Sequence, residues 1–118
     1  MKKLRTTLLL IFAVLSAPTL AADAEAGLLA IKALGSANGQ ALACSEAALA
    51  SRAKQLMLAH APKTQRFGAA YEEATQEAFL AQTRAAGTCP DATLLTDRIN
   101  RLALQLADTL PVAAPAAK

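Results

Sequence analysis

Two cysteines, Cys44 and Cys89, follow an export-type N-terminus, and together they constrain this chain more than any other feature. Lys2, Lys3 and Arg5 form a positive segment, Leu8 to Leu15 a short apolar one, and Pro18 precedes the small-residue cleavage signature Thr19-Leu20-Ala21. The apolar run is roughly half of what a bilayer-spanning helix needs, so no permanent membrane anchor is expected. The reading is a leader over residues 1–21 that is cleaved near Ala22. It delivers the remainder to an oxidising compartment, the periplasm, where the two thiols pair. A Cys44–Cys89 bond closes a loop of about 46 residues, and the chain-entropy model assigns it about 4 kcal/mol. That is comparable with the whole stability of a small domain.

Charge argues against nucleic acid. Of 12 Lys and Arg, three belong to the leader, so the rest balance the 9 Asp and Glu of the mature part. The cations, among them Lys32, Arg52, Lys54, Arg84, Arg98 and Arg101, are scattered rather than gathered along a phosphate track. Alanine is roughly a quarter of the chain and buries little area per residue, so the core is thin and gains from a covalent staple.

The periodicity predicts an all-α fold, a small antiparallel bundle of three to four helices over residues 22–110 stapled by that one disulfide. The tail over residues 111–118, rich in proline and alanine, reads as disordered. Helix one is expected over Asp23–Leu34, ended by Gly35, with a weak stripe of Leu28, Ile31 and Leu34 and a turn at Asn38-Gly39. Helix two is expected from Gln40 to His60, with Leu42, Leu49 and Leu56 on its packed face. Helix three is expected over Thr64–Ala86, with Phe67, Tyr71, Ala74, Ala78 and Ala81 in line and Phe79 off it. Helix four has Pro90 at its first position, a stripe of Leu95, Ile99, Leu102, Leu106 and Leu110, and a stop at Pro111. Antiparallel helices two and three then bring Cys44, one turn into helix two, to the same end as Cys89.

Chemistry is sparse. The cysteines form no C-x-x-C redox pair and no haem-attachment motif. Met57 and His60 share a helix face at a spacing that suits copper, but a helix-terminal histidine beside a core methionine explains them as well. Glu73 and Glu77 share a face and Glu72 is adjacent, yet threonine, glutamine and alanine around them describe a hydrated surface rather than an acid/base site. Ser36, Ser45 and Ser51 stand in no nucleophile elbow. Lys63, Thr64 and Arg66 lie where helix three begins and free N–H groups attract anions, which is also what an ordinary solvated connection contains. No catalytic residue, metal site or cofactor is implied.

Phe79, Leu80, Leu94, Leu104 and Leu58 fall outside the main stripes. Apolar residues left outside the core of a small domain mark an interface, so the chain reads as a non-enzymatic exported protein that binds a protein partner or itself. Its organisation, small, exported and helical with Cys44 and Cys89 far apart, resembles the acid-stress chaperones of the HdeA type. That resemblance implies a holdase that unmasks apolar surface on acidification. An immunity-type inhibitor of a cell-wall hydrolase fits the same features.

Overall fold

The computed structural model describes residues 20–85 and 87–112, with side chains from residue 24 onward. Nearly all of the expected leader and the last six residues of the expected tail lie outside the described residues. Among the described residues there are four helices: α1 (Leu20–Ala43), α2 (Ala47–His60), α3 (Gln65–Arg84) and α4 (Ala92–Thr109). Cys44 and Cys89 are joined, with their Cα atoms 5.8 Å apart. An all-α bundle with one disulfide is therefore what the chain forms.

The contacts give the directions. Glu25 meets Arg66, Gly35 lies against Tyr71, and Gly39 lies against Thr75, so α1 and α3 climb together and are parallel. Gly27 meets Leu110, Arg98 bonds Gln40 and Cys44 joins Cys89, so α4 runs the opposite way. After a tight corner α2 also returns antiparallel to α1, and His60 at its end reaches Leu110.

The first helix departs most from expectation. No turn forms at Asn38-Gly39; α1 continues through both to Ala43, and Leu42 belongs to it, 49 % exposed, rather than to the packed face of α2. Tertiary contact overrides the local turn signal. Asn38 is buried, and its Nδ2 donates to Thr75 Oγ1 at 3.2 Å, which in turn donates to the Gly35 carbonyl at 3.2 Å. Gly35 and Gly39 are there because α3 presses its backbone onto α1. A Cβ on Gly35 would sit 2.5 Å from the Tyr71 carbonyl oxygen, and one on Gly39 would sit 2.9 Å from the Phe79 nitrogen. The reversal comes instead at Cys44-Ser45-Glu46. Ser45 adopts φ 59°, the Glu46 N–H donates to the Ala41 carbonyl at 2.8 Å, and the Ser45 N–H donates to the Leu42 carbonyl at 3.3 Å. This is a Schellman motif with serine where glycine is usual.

Consequently Cys44 sits on the α1–α2 corner, not one turn into helix two, and α2 is 14 residues long against 20 for α3. The sulfurs still meet at one end, because the corner and the α3–α4 connection share it. Pro90 precedes the cap of α4 instead of opening the helix; Asp91 is the cap and its carboxylate accepts from the Thr93 N–H at 2.8 Å.

The core is centred on α1. Ala30, Ile31, Leu34, Ala37 and Ala41 are fully enclosed, packed against Leu95, Ile99, Leu102 and Leu106 of α4, Ala50 and Ala53 of α2, and Phe67 and Ala70 of α3. α2 packs on α4 but not closely on α3. Residues this small let helices approach closely, but α3 is then held mainly by α1, and a channel opens between it and α2.

Candidate binding groove

The channel is a groove of about 660 Å³ with Asn38 and Leu42 of α1 as its floor. Ala47, Ala50, Ser51 and Lys54 form the α2 wall, while Tyr71, Glu72, Thr75, Gln76 and Phe79 form the α3 wall. Towards the disulfide end it is apolar, with Leu42, Ala47 and Phe79 together. Towards the other end Lys54 and Glu72 stand on opposite walls, and both are exposed. The same two helix faces continue downward into a smaller depression of about 180 Å³ around Met57, Leu58 and Gly68. A Cβ on Gly68 would meet nothing within 4 Å, so that depression is open where a side chain would otherwise stand.

Tyr71 supplies the electrostatic peculiarity of the groove. Its hydroxyl oxygen is enclosed and has no hydrogen-bond partner among the described residues. Desolvation by burial pushes its pKa up to about 12, since the phenolate is the form that loses most on leaving water. An unpaired buried hydroxyl costs about 1–3 kcal/mol.

The expected interface residues divide between two surfaces. Phe79 (39 % exposed) and Leu58 (61 %) line the groove and its continuation. Leu94 (64 %) and Leu104 (71 %) lie on the outer face of α4, opposite its buried stripe, and Leu80 lines neither depression. They do not form one patch.

The other candidates are drawn into local structure. Thr64 caps α3 by accepting from the Phe67 N–H at 3.5 Å, Arg66 pairs with Glu25 at 3.3 Å, and Lys63 borders the lower depression, so the three do not converge on one point. His60 donates from Nδ1 to the Leu110 carbonyl at 2.7 Å, and Met57 is half-buried against the core. Glu72 faces the groove, whereas Glu73 and Glu77 border a separate depression beside Lys32. Ser51 is on the groove rim, Ser36 is beside Arg98 across from it, and Ser45 is in the corner. Among the described residues no three His, Cys, Asp or Glu side chains gather as a metal site would require. No helix among them is long and apolar enough to cross a membrane.

Helical periodicity alone does not mark Leu42, the Tyr71 hydroxyl or Gly68 as site features. The spacing Gly35-x-x-x-Gly39 was the available signal, because glycines four apart on a helix mark a close crossing. A close α1–α3 crossing is what leaves α2 and α3 apart. Comparison with known protein families, curated proteins and solved structures finds no match to this chain.

Proposed function

We propose that this chain is an exported, periplasmic protein that acts by binding rather than by catalysis, holding a helix of a protein partner in the groove between α2 and α3. The groove carries the reading. It is walled by two helices, apolar towards the disulfide end, and large enough for several side chains. Amphipathic helices dock into such grooves through apolar residues at helical spacing. Export is supported by the charged and apolar N-terminal segment, and by a disulfide that an oxidising compartment sustains.

A photo-cross-linking amino acid at position 79, in the groove, tests this in the cells that make the protein. One discrete cross-linked protein is the expected result, absent when the same group stands at Leu80. No product from position 79 removes the reading. A broad ladder of clients would replace a defined partner with a holdase of the acid-chaperone kind.

A further inference from the structure

We infer that the occupant of the groove is a second copy of this chain, docked through the outer face of its α4. This rests on the groove being a binding site, as proposed above, and names what fills it.

The outer face of α4 is Leu94, Asp97, Arg101, Leu104 and Asp108, a single stripe at helical spacing, and every member is exposed. Leu94 and Leu104, 64 % and 71 % exposed, stand on this one stripe with Asp97 and Arg101 between them. None of the described residues covers them.

The groove matches that stripe in length, order and charge. Along α3, Phe79 marks the upper apolar end and Gly68 the lower depression, eleven residues apart or about 16 Å at the helical rise. Along α4, Leu94 and Leu104 are ten residues apart, about 15 Å. With Leu94 of the second copy against Leu42 and Phe79, its Leu104 falls beside Leu58 in the space left by Gly68. In this register α4 of the second copy runs parallel to α2 of the first. Between the two apolar ends the groove carries Lys54 and Glu72, and the α4 stripe carries Asp97 and Arg101. Arg101 is seven residues from Leu94, as Glu72 is from Phe79, so those two charges fall level. Asp97, one turn away, supplies the opposite charge for Lys54. A groove with one cation and one anion at its rim therefore meets, between the two leucines of the stripe, one charge of each sign.

The two surfaces are different parts of the molecule, so the contact is heterologous. Such contacts close into rings where the rotation allows and otherwise extend head to tail.

Sedimentation of the purified chain over a range of concentrations tests the inference. Concentration-dependent association is expected, weakened by about tenfold or more in Leu104→Asp, which alters only α4. A similar loss is expected in Gly68→Leu, which fills the lower depression with a better helix former and so leaves the fold intact. Circular dichroism should match the unaltered chain, and the unfolding midpoint should be nearly unchanged in Leu104→Asp and somewhat raised in Gly68→Leu. Arg101→Glu should weaken association, and Glu72→Arg added to it should recover part of the loss. A monomer at every concentration up to about 1 mM, or association unmoved by Leu104→Asp, overturns the inference. The two readings separate cleanly. A position-79 cross-link to a different protein, with the purified chain monomeric, removes the second copy and keeps the groove; no cross-link removes both.

Discussion

Gly39 of α1 lies directly beneath the backbone of Thr75 in α3, with no room for a side chain between them. Ala78 closes the site from the side, its Cβ 3.0 Å from where a Cβ on Gly39 would stand. Because the obstacle is helix backbone, which does not yield as a flexible side chain does, Gly39→Ala should cost at least about 2 kcal/mol in spite of alanine's better helix propensity. Gly68→Ala is the control. It meets only open space and should raise stability by about 0.5–1 kcal/mol. Urea unfolding of the two variants side by side checks both signs.

Ser45 turns the chain from α1 into α2 in a backbone conformation that L-residues with a Cβ disfavour. Ser45→Gly removes that strain and adds some freedom to the unfolded chain, so the net gain should be about 0.5–1 kcal/mol. Ser45→Val, whose branched side chain fits this region worst, should lose stability. Thermal unfolding distinguishes them.

The Cys44–Cys89 bond ties the α1–α2 corner to the start of α4 across a separation of 45 residues. Replacing both cysteines with serine should lower stability by about 4 kcal/mol through the unfolded chain's regained freedom. The α4 stripe and the α1 crossing do not depend on the bond, so helical content should persist in the cold and melt earlier on heating. Reductant added to the unaltered chain should reproduce the shift, and should do nothing to the double-serine variant.

Tyr71 is the only tyrosine in the chain, so its ionisation can be followed without interference in near-ultraviolet absorbance. Phenolate should form near pH 12 in the folded protein and near the ordinary tyrosine value of 10.0 in denaturant. The unfolded chain thus loses this proton first as pH rises. Its contribution to stability is whole below pH 10 and declines from there towards 12. Tyr71→Phe should flatten that decline. It should also raise stability near neutral pH by about 1 kcal/mol, because an unpaired hydroxyl leaves the interior.

What the sequence made legible follows side-chain size. Leu95, Ile99, Leu102 and Leu106 announce α4, since large apolar groups at 3.6-residue spacing leave little choice of face. The meeting of Cys44 with Cys89 was also accessible, because chain direction alone fixes which ends coincide. The length and centrality of α1 were not. Its burial rests on Ala30, Ala37 and Ala41, which look the same whether enclosed or exposed. Asn38-Gly39 carries a local turn preference that only a neighbour 37 residues away, Thr75, overrides. The candidate site divides in the same way. Phe79, Leu58, Leu94 and Leu104 were visible as residues off the stripes. That the first pair sits in a groove and the second on a separate ridge depends on how closely α3 hugs α1, which no single-helix pattern encodes.

The first of the described helices is also the one every later helix leans upon. Until the chain beyond Cys89 has followed, Ile31 and Leu34 have no full enclosure, and Cys44 has no thiol to meet. Assembly therefore waits for the last quarter of the chain. A fragment ending before α4 is left with a bare, sticky spine rather than a smaller working version of the protein.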